Sequence, residues 1–154
     1  MTDDPYVLAP GKLPTPFSAD DLRAALPEGT VIVLDIDGPH GTIRQFNTFA
    51  DADEAGATWS AFAEGAEPES ERVTWLKLQG HASFDAANAT RERETISHTL
   101  GELDCWRYDV GTADDGSVFW FDLARPGMPV RMERRSGGVR AGGFEAIEWS
   151  TGVR

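Results

Sequence analysis

Residues 100–135 run LGELDCWRYDVGTADDGSVFWFDLARPGMPVRMERR. Three runs rich in aromatic and β-branched residues, 103–110, 117–123 and 128–135, are broken by turn chemistry at Asp114-Asp115-Gly116 and Arg125-Pro126-Gly127. Links this short join antiparallel neighbours, because a parallel crossover needs a dozen or more residues. Val118-Phe119-Trp120-Phe121 is apolar on both faces, so one face packs on a core and the other is also covered.

The pattern extends in both directions. Upstream, residues 30–36 read as a covered central strand, and 42–49 follow the turn Gly38-Pro39-His40-Gly41. Residues 57–63 and 73–78 read as further strands, 80–89 as loop or short helix, and 90–100 as a long strand with one wet face. Downstream, Ser136-Gly137-Gly138 leads to a last strand over 143–149. The expected fold is mainly β (α+β): a curved antiparallel meander of about eight or nine strands.

One helix is predicted before the strands. Ser18 is a good N-cap, and Asp20 and Asp21 stand in the first turn, where the helix dipole favours acids. Leu22, Ala25 and Leu26 share a face, Phe17 and Leu22 occupy the staple positions, and Pro27 and Gly29 end the helix. Residues 1–16, with four prolines, read as an extended arm, and 17–154 as one β-rich domain. The helix is expected on the concave face of the sheet. Trp106, Tyr108, Trp120 and Phe121 are then the candidates to line a hollow for an apolar ligand.

Composition excludes several classes. The chain of 154 residues has a net charge of −12, which argues against nucleic acid and anionic membrane surfaces. No stretch approaches the roughly 20 apolar residues that span a bilayer. The acidic start, Met1-Thr2-Asp3-Asp4, is unlike a signal peptide, so the cytoplasm is the expected compartment. Cys105 is the single cysteine, and no internal disulfide forms. Charge is uneven: residues 1–70 hold 13 acidic and 3 basic residues, against 13 and 11 in residues 71–154. The late arginines Arg125, Arg131, Arg134, Arg135 and Arg140 are the candidate surface for a protein partner.

Three stretches together carry a resemblance. They are 16–23 (PFSADDLR), 100–108 (LGELDCWRY), and Phe119-Trp120-Phe121 followed by Pro126-Gly127-Met128-Pro129-Val130. This pattern resembles an uncharacterised family of bacterial domains with a LolA-like, lipoprotein-carrier-like half-barrel. The resemblance implies an antiparallel sheet curled around a helix, with an apolar ligand or a protein segment held in the hollow. It implies no catalytic residue.

Two constellations invite enzymatic readings. Val31-Ile32-Val33-Leu34-Asp35-Ile36-Asp37-Gly38 resembles the first motif of haloacid-dehalogenase-type phosphatases. The resemblance implies Asp35 as nucleophile, Asp37 as acid/base and Mg²⁺ as cofactor, with Lys77 and Asp114/Asp115 to complete the site. That fold needs helices between parallel strands, and the second half of the sequence offers none. If Gly101-Glu102 is a two-residue hairpin loop, His98 faces Cys105 with Cβ atoms roughly 5 Å apart, a nucleophile pair in form. His40, His81 and His98 lack ligand spacing, so no metal site and no resident cofactor are expected. The leading reading is therefore a non-catalytic binding module. The Mg²⁺-dependent phosphatase and a structural, assembly or charge-neutralising partner protein are the alternatives.

Overall fold

The computed structural model describes residues 4–38 and 40–151. The first three residues of the expected arm, and Pro39 of the first turn, lie outside the described residues. The elements in chain order are α1 (Ala19–Ala25), β1 (Thr30–Gly38), β2 (Gly41–Ala50), β3 (Gly56–Ala63), β4 (Glu69–Thr74), α2 (Trp75–Gly80), β5 (Ala89–His98), β6 (Gly101–Gly111), β7 (Gly116–Asp122), β8 (Arg131–Ser136) and β9 (Val139–Ser150). All nine strands form one sheet, and every ladder among the described residues is antiparallel.

The sheet order is β4-β3-β2-β1-β9-β8-β7-β6-β5. Two meanders, β1–β4 and β5–β9, are thus sutured through the first and last strands. Local turn chemistry dictates each hairpin, but nothing local makes β1 the neighbour of β9. Asp35 of β1 pairs with Arg44 of β2 on one side and Glu145 of β9 on the other, and a bulge interrupts the β1–β9 register after Val33. The segment 75–88, which contains α2, carries the chain from one edge strand to the other.

α1 starts on a full capping box. The Ser18 hydroxyl accepts from the Asp21 amide, and the Asp21 carboxylate accepts from the Ser18 amide. Residues 73–78, read from sequence as a strand, change structure at Thr74. Its hydroxyl caps α2 by accepting from Lys77 N–H, and Trp75 opens the helix with its indole donating to the Asp53 carbonyl at 2.7 Å. The apolar content of Trp75-Leu76-Lys77-Leu78 hid this N-cap.

Cross-strand register divides the sheet into two faces. Ile32, Leu34, Phe49, Trp59, Phe144, Met132, Phe119, Phe121, Tyr108 and Trp106 point to the face covered by α1 and α2. Asp35, Arg44, Glu145, Arg131, Trp120 and Arg107 form a cross-strand row on the opposite face. There the tip of the β5–β6 hairpin folds back: Thr99 Oγ1 donates to Glu145 Oε2 at 2.7 Å, and Arg131 Nη2 donates to the Ser97 carbonyl at 3.1 Å. In a flat sheet β5 and β9 would lie about 19 Å apart, four strand spacings. The contacts require the sheet to curl.

The β5–β6 register differs from the sequence reading. The two-residue loop is Thr99-Leu100, so His98 pairs with Gly101 and Cys105 lies opposite Glu94. The loop falls two residues earlier than expected because Gly101, with φ +124°, opens β6 and is not part of the turn.

Candidate binding site

A cavity of about 220 Å³ lies between the two helices and the covered face of the sheet. α1 contributes Leu22 and, with the flanking residues, Phe17 and Leu26; α2 and the turn after it contribute Leu78, His81 and Ala82. Phe49, Phe119, Phe121 and Phe144 form the floor, and Gly127-Met128-Pro129 closes one side. A bare glycine is required at 127: its φ is +153°, and a Cβ there would lie 3.0 Å from the Trp149 ring and 3.3 Å from Leu26. His81 is the single ionisable side chain among the lining residues.

The frame around the cavity is held by one polar residue that the sequence did not single out. Gln79 of α2 is buried, and its side-chain oxygen accepts from Ala19 N–H at the start of α1, at 2.9 Å. Its amide donates to the Pro5 carbonyl at 2.7 Å and to Thr15 Oγ1 at 2.9 Å. One side chain thus ties both helices and the amino-terminal arm together. Tyr108 provides a second tie: its hydroxyl donates to the Pro14 carbonyl at 2.6 Å, and burial pushes its pKa up to about 12. Gln79 falls between the strand read over 73–78 and the loop or short helix read over 80–89, and a lone Gln gives no local signal of such a role.

The sequence-derived site residues are dispersed. Phe121 lines the cavity. Tyr108 stands behind it, edge-on to Phe121 at 5.6 Å, and Trp106 lies further toward the β5 edge beneath Arg91. Trp120 points to the opposite face, where its indole donates to Glu94 Oε1 at 2.7 Å. The four therefore do not enclose one hollow: consecutive strand residues alternate faces, so Trp120 and Phe121 are separated by the sheet.

Four of the five late arginines are engaged within the chain. Arg125 meets Asp122 at 2.6 Å, Arg131 meets Glu145 at 3.1 Å, Arg135 meets Glu133 at 3.6 Å, and Arg140 donates to Asp37 at 3.0 Å. Arg134 faces the other way, with its guanidinium against Gly142. Glu145 illustrates the balance: burial works to raise its pKa, but the Thr99 hydrogen bond and the neighbouring Arg131 guanidinium outweigh it and leave it lowered.

The phosphatase arrangement does not form. Asp35 and Asp37 stand on the face away from the helices, bound to Arg44 at 3.0 Å and to Arg140. The hydrogen bond from Arg140 holds the Asp37 carboxyl below its ordinary range. Lys77 lies on α2 and pairs with Glu71, and Asp114 and Asp115 belong to the β6–β7 turn region. With antiparallel neighbours on both sides of β1, there is no crossover helix to complete the motif. The Cys105–His98 pair is not formed either. Burial pushes the Cys105 thiol up to about 12, and His98 is tied to the Val130 carbonyl through Nε2 and to the Leu100 amide through Nδ1, each at 3.0 Å.

A nine-stranded open antiparallel sheet with short helices packed over an apolar hollow is a LolA-like fold. Among solved structures the chain is similar to MucB, with a TM-score of 0.58 at 9% identity over 86% of this chain and 56% of that one. It is also similar to MucB in complex with MucA(peri), with a TM-score of 0.58 at 12% identity over 88% of this chain and 56% of that one. The chain thus spans little more than half the length of these structures. No protein-family model matches the sequence, and no curated protein matches it. No helix among the described residues is long and apolar enough to cross a membrane.

Proposed function

We propose that this domain is a non-catalytic binding module that receives an apolar group in the hollow between its helices and its sheet. The observation that carries the reading is the cavity itself. Its 220 Å³ exceeds the roughly 150 Å³ of an engineered apolar cavity that binds benzene. Close-packed interiors rarely leave such a void without a use. Its aromatic and aliphatic lining suits an acyl chain or an apolar side chain, and the capture of MucA by a protein of the same fold supports a peptide segment as one source of that group.

The test uses dansylaminoundecanoic acid, whose fluorescence rises in an apolar site. Saturable binding is expected, abolished by Ala82→Phe, which places a ring in the cavity, while the melting temperature stays within a few degrees. No saturable signal, or equal affinity in the Ala82→Phe variant, overturns the reading. Native mass spectrometry of the gently purified protein separates an acyl ligand from a peptide by mass.

A further inference from the structure

We infer that the free edge of β5 is a docking strand for an extended acidic peptide segment, recognised by the side chains of Arg91 and Arg93 and by the outward backbone groups of Arg91, Arg93 and Thr95. β5 is an edge strand ten residues long, at the upper end of the usual range, and its charged side chains select what can pair with it. Gly111 N–H donates to the Asn88 carbonyl at 2.8 Å, so the even-numbered residues of this register turn their backbone groups toward β6. By alternation, the backbone groups of Arg91, Arg93 and Thr95 point outward. The Ser97 carbonyl, next in that series, is already taken by Arg131. A strand added here has a ladder waiting for it.

Side chains select the partner. On the helix-covered face Arg91 and Arg93 flank the Trp106 ring, at 3.9 and 5.4 Å from its centroid. Stacking holds the two guanidinium groups in place. Neither forms an ion pair with a described carboxylate, in contrast to Arg107, Arg125, Arg131, Arg135 and Arg140. On the other face Glu94 is already engaged by Arg107 and Trp120. Among the described residues the late arginine cluster leaves only Arg134 without an ion pair, whereas the edge strand carries two such cations side by side. A twofold β5–β5 pairing of two copies would set arginines against arginines on one face, and like charges directly opposite destabilise a ladder. A segment with Asp or Glu at alternate positions meets both cations and the ladder together.

The probes are a labelled heptapeptide Thr-Val-Glu-Val-Glu-Val-Thr and its Lys-for-Glu counterpart, read by fluorescence anisotropy at low salt. The acidic peptide is expected to bind at least about tenfold more tightly, with the preference inverted in Arg91→Glu/Arg93→Glu and abolished in Arg91→Gln/Arg93→Gln. Hydrogen exchange gives the second readout. The amides of Arg91, Arg93 and Thr95 gain protection on binding, while those of Glu92 and Glu94 do not change. Equal binding of the two peptides, binding of neither, or binding without protection at the three odd-numbered amides overturns the inference. So does concentration-dependent dimerisation that protects the same amides without peptide. Cavity filling by Ala82→Phe leaves this binding unchanged, so the outcome is independent of the apolar site.

Discussion

Replacing Gln79 by methionine tests the physical basis of the site. The side chains have similar volume, so packing against α1 and the arm is kept and the polar atoms alone are lost. Two backbone groups then lose this partner: the half-buried Ala19 N–H, at 2.9 Å in the native chain, and the carbonyl of the exposed Pro5, at 2.7 Å, which water can reach. Thr15 loses an incoming bond but still donates to the Phe17 carbonyl at 2.8 Å. Leaving a buried donor unsatisfied costs about 1–3 kcal/mol, and the Pro5 carbonyl turns to water, so the loss is about 2 kcal/mol, a substantial part of the 5–15 kcal/mol that holds a typical domain together. Thermal unfolding is expected about 6 °C lower, and urea unfolding should show a lower midpoint at unchanged slope. Gln79→Glu extends the test. Its protonated form can still donate to the Pro5 carbonyl, so its folded-state pKa is raised. Stability is then present below the unfolded carboxylate range and is lost as pH rises through the folded value. A loss below about 1 kcal/mol in Gln79→Met, or a flat pH profile in Gln79→Glu, refutes the claim that one side chain holds arm and helices together.

Two further outcomes follow from the same structure. Tyr108 and Cys105 are both held protonated in the fold, with pKa values of about 12 against ordinary values of 10.0 and 9.0. Stability is therefore intact below pH 9 and falls between pH 9 and 12, by about 1.4 kcal/mol per pH unit for each group that the unfolded chain has ionised. Tyr108→Phe and Cys105→Ala should each flatten that decline in alkaline urea titrations, and an unchanged profile refutes it. Gly56→Ala would place a methyl 1.9 Å from the Val73 carbonyl oxygen, in the backbone of the neighbouring strand. β4 must shift or detach, at a cost of about 2–3 kcal/mol. Chemical denaturation measures this, and a neutral result would show that the β3–β4 edge is looser than its register indicates.

Much of the fold is legible in the residues. Ser18 and Asp21 announce α1, and the short turns at Asp114-Asp115-Gly116 and Ser136-Gly137-Gly138 mark antiparallel hairpins, because capping and turn formation are local events. The hairpin at Thr99-Leu100 is legible as a turn but not as a register. Moving the loop by two residues shifts each pairing by four and preserves which face each side chain meets, so hydrophobic alternation cannot detect it. Thr74 is a legible N-cap only once the strand reading of Trp75–Leu78 is set aside.

By itself, then, the sequence determined the antiparallel class, the capped helix and the uneven charge, since each follows from a few neighbouring residues. The tertiary structure alone decided that β1 joins β9, that Trp120 and Phe121 serve opposite faces of a curled sheet, and that Gln79 closes the frame of the cavity. It also decided which arginines remain for a partner. Clustering in sequence does not say which carboxylate each guanidinium reaches. Asp37 and Arg140, 103 residues apart, meet only because the first and last strands are neighbours.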